Sequence, residues 1–184
     1  EYNEIQKDPA TTRVQVAFCF PDTYEIGMSN VGMQILYGLM NEMDGVWCQR
    51  VFAPWGDMEK AMRENHLPLW ALESQKPVKD FDMIAFTIGY EMCYTNIINM
   101  LDLAGVPLRA AERKREDAFV LCGGPCAYHA EPLSDIVDFF VLGEGEEVNS
   151  ELMDVYRTWK NSGKSREDYL TEIAKIQGVY VPSF

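Results

Sequence analysis

Five short apolar runs, each followed or preceded by a stretch of helical periodicity, leave this 184-residue chain few folds to choose from. They are Val14–Phe20, Val46–Phe52, Phe81–Gly89, Phe119–Cys122 and Phe139–Leu142. The first is nearly all apolar after Gln15, as a strand covered on both faces should be. The second, VWCQRVF, is more polar and is expected at a sheet edge.

The segments between the runs read as helices. Val31, Ile35, Leu36, Leu39, Met40 and Met43 recur at helical spacing behind Ser29, a candidate N-cap. Asp57 is placed to cap a helix from Met58 to about Asn65. Ile97, Ile98, Leu101 and Ala104 share a face that Gly105 closes. Val148, Leu152, Val155, Tyr156 and Trp159 line a helix that starts at Glu146 or Glu147 and ends near Lys160. Ser165 and Asp168 form a capping-box pattern before a last helix through Ile176. Residues 66–80 form a connection packed down by Leu67, Leu69, Trp70 and Leu72, and residues 1–12 are polar and peripheral.

Strands alternating with helices through short connections pack as a parallel sheet with right-handed crossovers. The expected fold is therefore α/β, a flavodoxin-like or Rossmann-like doubly wound sheet of five parallel strands in the order 2-1-3-4-5. Residues 1–163 form this domain. Residues 164–184 are expected to be a helix and linker, because Gly178–Phe184 is apolar and extended and reads as a chain entering another domain.

A hydrophobic content of 47% supports a sizeable core, and a net charge of -13 argues against nucleic acid as a partner. The one basic cluster, Arg109–Arg115, also carries Glu112. No signal-peptide layout lies near Glu1 and no apolar run is long enough to span a bilayer, so a cytoplasmic location is expected. Five cysteines scattered through apolar runs read as reduced, buried thiols.

The fourth and fifth strands end in glycine-rich turns, Gly123-Gly124-Pro125 and Gly143-Glu144-Gly145-Glu146-Glu147. In an open α/β sheet ligands bind at such strand ends, beside helix N-termini. Each turn has a structural reading as well: the first is a tight turn, and the carboxylates of the second offset the positive helix end. Those carboxylates would also repel a phosphate. Cys122, Cys126 and His129 form a C-x3-C-x2-H set without a fourth ligand, and Cys122, on a strand, is expected to face the core. Thr87-Ile88-Gly89 ends the third strand without a phosphate-accepting aspartate, and no G-x-S-x-G elbow or base–nucleophile pair exists. The chain reads as a binding module.

Phe20–Asn30 (FPDTYEIGMSN), Ile35-Leu36-Tyr37, Cys122–Pro125, Glu131-Pro132, Asp138 and Val141–Glu146 (VLGEGE) together resemble the N-terminal cobalamin-binding-like domain of radical S-adenosylmethionine Fe–S oxidoreductases. The resemblance covers nearly the whole chain. It implies a radical SAM barrel in the same polypeptide, holding a [4Fe–4S] cluster on C-x3-C-x2-C with S-adenosylmethionine at the open iron. That motif is not in this sequence, so the chain is expected to be inactive alone. The resemblance places cofactor contacts at Tyr24, Gly27, Thr87, Gly89, Gly123, Gly124, Pro125, Gly143, Glu144, Gly145 and Glu146. Where D-x-H-x-x-G of cobalamin domains holds the cobalt-coordinating histidine, this chain has Asp22-x-Tyr24-x-x-Gly27. Bound cobalamin would then lack a histidine lower ligand; alternatively Tyr24 fills the cavity and the fold serves as a ligand-free docking domain. A flavin- or nucleotide-binding module is the third reading.

Overall fold

The apolar runs are strands of one sheet: β1 (Val14–Phe20), β2 (Val46–Phe52), β3 (Met83–Thr87), β4 (Phe119–Gly123) and β5 (Phe139–Val141). A sixth strand, β6 (Val179–Tyr180), joins them, giving the order β2-β1-β3-β4-β5-β6. The computed structural model describes residues 3–184; the first two residues of the polar 1–12 segment lie outside them. β1 to β5 are parallel in the expected order, and β6 runs antiparallel against β5.

β6 comes from the closing segment read from sequence as a linker. Two residues before Pro182 are too short a run to announce a strand. What allows the pairing is Gly178, at φ +89°, whose carbonyl accepts from Leu142 N at 2.7 Å. A Cβ there would stand 2.7 Å from Leu142 O, so only glycine permits the approach.

Helices cover both faces. α1 (Tyr24–Gly27) and α2 (Val31–Glu42) follow β1, α3 (Gly56–Glu64) follows β2, α4 (Tyr94–Ala104) follows β3, and α5 (Gly145–Lys160) and α6 (Arg166–Ile173) follow β5. Met33, Tyr37 and Met40 of α2, Leu152 and Tyr156 of α5, and Tyr169 and Ile173 of α6 pack on one face with Val16, Phe18, Phe119 and Phe139. Met62 of α3 and Ile97, Met100 and Leu101 of α4 pack on the other with Ala17, Ile84 and Val120.

Several helix ends follow the cap residues. Gly105 is left-handed at φ 70° behind α4, and Ser165 and Asp168 make the reciprocal capping box of α6. Others shift. Asn30, not Ser29, caps α2 and accepts from Met33 N at 2.9 Å, because Ser29 Oγ is donated back to Ile26 O. α3 begins at Gly56, so Asp57 lies inside its first turn, and α6 ends at Ile173. Leu67 is half exposed, whereas Leu69 is buried.

β2 is at the edge, as its polarity suggests, yet Gln49 and Arg50 are buried. The connection beyond α3 covers the edge: Leu72 N donates to Arg50 O at 2.8 Å and Glu73 Oε2 accepts from Arg50 N at 2.7 Å.

Candidate functional site

Strand side chains alternate between faces, and on the α2–α5 face Phe18 and Phe20 of β1, Ala85 of β3, Leu121 of β4 and Val141 of β5 line an apolar floor. Near the carboxyl ends of the strands the helices leave this floor open. The result is a cleft of about 390 Å³, bounded by Gly32, Ile35 and Leu36 of α2 and by Gly145, Glu146 and Asn149 of α5.

Nine of the residues singled out in the sequence line this one cleft: Thr87, Gly89, Gly123, Gly124, Pro125, Gly143, Glu144, Gly145 and Glu146. Tyr24 and Gly27 are elsewhere. Gly27 is buried under Phe52, whose ring a Cβ would strike, and Tyr24 packs edge-to-face on the same ring at 5.3 Å and borders a separate cleft. The floor residues are the ones sequence reasoning missed. The strands that supply the floor, β1, β3, β4 and β5, are mainly apolar on both faces, so nothing in the period distinguishes a side chain facing the cleft from one facing the core.

The glycines around the cleft differ in kind. At Gly124, φ is +96° and a Cβ would lie 2.9 Å from Ile88 O and 3.0 Å from Ile88 N, so its bareness serves chain-to-chain packing. Gly89, by contrast, borders the cleft with nothing within 4 Å of its would-be Cβ. The first turn of α5 carries Glu146 and Glu147 behind Glu144, and no Lys or Arg belongs to the lining. An apolar floor under an acidic rim disfavours a free phosphate or other small anion.

The family described as "Radical SAM proteins, N-terminal" matches residues 32–182. The chain belongs to this family. It is also similar to an uncharacterized protein, MJ0966, of Methanocaldococcus jannaschii, with 23% identity over 132 residues. That match covers 71% of this chain and 24% of the relative, so the chain spans about a quarter of the relative's length.

A radical SAM N-terminal domain invites the question of whether it holds a cluster itself. Among the described residues no group of three or more His, Cys, Asp or Glu is arranged to hold a metal ion. Cys122 is wholly buried in the face opposite the cleft, as its strand position implies. Cys126, read from the sequence as a buried thiol, and His129 are lifted out by the short helical turn Pro125–Tyr128. Cys126 is half-buried, and His129 is exposed with Nδ1 2.8 Å from Glu91 Oε1. Among the described residues no helix is long and apolar enough to cross a membrane.

Cys126 is thus the accessible thiol. Partial burial and the nearby Glu91 carboxylate push it above the ordinary thiol range, while burial raises Cys19, Cys48 and Cys122. A thiol reagent such as DTNB is expected to label one cysteine in the native chain, slowly near pH 7 and about tenfold faster per pH unit towards pH 9. Cys126→Ser should abolish that reaction; labelling that persists in the variant would place the reactive thiol elsewhere.

Proposed function

We propose that this chain is the cobalamin-binding-like accessory domain of a radical S-adenosylmethionine Fe–S oxidoreductase, and that its cleft receives the nucleotide tail of a corrinoid. One observation carries the reading. Nine residues that the family resemblance assigns to cofactor contact lie around a single cleft at the strand ends.

The residues present fit the tail of such a group. A volume of about 390 Å³ is at the small end of organic-ligand sites, enough for a nucleotide base and too small for a corrin ring. Phe18, Phe20, Leu121 and Val141 offer a flat base an apolar bed, and Gly89 and Gly123 leave backbone within reach. The aromatic and Met side chains that could have closed the rim do not line it: Tyr90 and Met92 are 50% and 79% exposed. That favours binding over the ligand-free docking reading. A flavin mononucleotide is less suited, since its terminal phosphomonoester, doubly charged near neutral pH, would meet Glu144 and Glu146 with no cation in the lining, whereas the phosphodiester of a corrinoid tail carries a single negative charge.

When bound, a corrinoid supplies cobalt-based redox and alkyl-transfer chemistry. This chain's part is to seat the tail and exclude water from it; Tyr24, in the place of the usual histidine, supplies no imidazole. The [4Fe–4S] cluster and S-adenosylmethionine belong, in this reading, to a barrel in the same polypeptide. Unpaired thiols suit a reducing compartment, and we place the protein in the cytoplasm.

The test is to mix the chain with hydroxocobalamin, remove unbound ligand by gel filtration and record the visible spectrum. The wild type is expected to retain corrinoid. Gly89→Leu, placed where a side chain meets open space, should reduce retention about tenfold with its thermal midpoint unchanged. A wild-type chain that elutes colourless would sink the proposal.

A further inference from the structure

Where β2 ends, a second cleft of about 340 Å³ opens against α1, α3 and the connection beyond α3. Its walls are aromatic and apolar, with Tyr24, Phe52, Trp55, Trp70, Leu69 and Leu72 among them. Trp55 is 68% exposed and belongs to the mouth.

One cation belongs to the lining, Arg50, which is 1% exposed. Most of its guanidinium is spoken for. Nε donates to Glu73 Oε1 at 2.8 Å, Nη1 lies 3.4 Å from the Met28 sulfur, and the plane covers the Tyr37 ring at 4.4 Å. Nη2 is different: it is buried and has no hydrogen-bond partner among the described residues. A buried donor left unmade is costly, and such groups ordinarily find an acceptor.

We infer that this cleft binds a flat, apolar molecule whose uncharged carbonyl oxygen accepts a hydrogen bond from Arg50 Nη2. The aromatic walls select a planar body, since ring faces and edges stack well on another π-system. The absence of charge follows from the surroundings. Glu73 already balances the Arg50 charge, and Glu25 and Asp57 also border the cleft, so an anion would gain no unpaired cation and would meet two carboxylates. The site shares no lining residue with the strand-end cleft, so it stands or falls independently of corrinoid binding.

The test is calorimetric titration of the full chain with two probes, indole-3-acetamide and 3-propylindole, which share a ring while only the first has a carbonyl. The acetamide is expected to bind about tenfold more tightly, the ratio one directed hydrogen bond supplies. Trp55→Ala, at an exposed position, should weaken both probes about tenfold. The paired change Arg50→Gln with Glu73→Gln removes both charges together and should bring the two probes within about twofold of each other. Equal affinity of the wild type for both probes overturns the assignment, as does the lack of saturable binding or indifference to Trp55→Ala. These three outcomes are read without the buried double variant, so they decide the matter even if that variant fails to fold.

Discussion

Replacing Asp138 by asparagine is expected to cost the fold about 3–5 kcal/mol, the scale of breaking a buried ion pair from one side. The carboxylate is almost wholly enclosed. Oδ2 accepts from Arg113 Nη1 at 2.8 Å and from Val120 N at 2.7 Å, and Oδ1 accepts from Arg166 Nη2 at 3.1 Å. Arg113 is itself buried, and the loss of water pushes its pKa below the ordinary guanidinium range. Asparagine can still accept a hydrogen bond but would leave two guanidinium groups without a counter-charge, one of them with no route to solvent. Arg113 would keep its bonds to Pro107 O and Leu108 O, which hold it in place and so prevent escape. The measurement is urea unfolding: the midpoint should fall with the slope unchanged. A loss under about 1 kcal/mol would show that water reaches the pair.

The second large effect is expected at Tyr169→Ala, again about 3–5 kcal/mol, the range for truncating a buried aromatic residue. Tyr169 is fully buried, with ring centroids of Phe119, Tyr156 and Trp159 at 4.6, 5.6 and 5.6 Å and that of Phe139 at 6.3 Å. Emptying this position leaves four large rings facing a void that rigid neighbours cannot close. Beside it, the Arg166 guanidinium covers Phe119 at 3.8 Å. A chain ended at Gly163 would lose Tyr169 and Arg166 together and is expected to show no cooperative unfolding transition by circular dichroism. A cooperative transition in that shorter chain would mean that α6 is an accessory to the core.

That expectation bears on what could be read in advance. The strand order, the cap at Gly105 and the box at Ser165 and Asp168 were legible because each rests on a local signal, an apolar period or a residue with one preferred backbone role. The glycine turns could be placed on one rim because parallel strands end together. What escaped depended on partners distant in sequence. Tyr24 faces away from the rim because Phe52 occupies the space above Gly27, a contact between residues 25 positions apart. Arg50 is tolerable inside an edge strand only because Glu73 comes back to meet it, and Arg166 joins the core through an aspartate on the neighbouring strand segment. The sequence places Cys122 in the core, but it does not say that Cys126 emerges; that follows from where one helical turn lifts the chain.

The two margins of the sheet have a bearing on how the molecule meets copies of itself. An exposed strand margin is a template for pairing with another chain, and a long apolar one invites aggregation. Here β2 is shielded where Leu72 and Glu73 engage the Arg50 backbone, and β5 is shielded by β6. β6 in turn offers only two residues and is followed, one residue on, by Pro182, which has no N–H to donate. Sheet-to-sheet growth is therefore blocked on both flanks, which leaves helices and the loops around the two clefts as the surfaces through which this domain can recognise anything else.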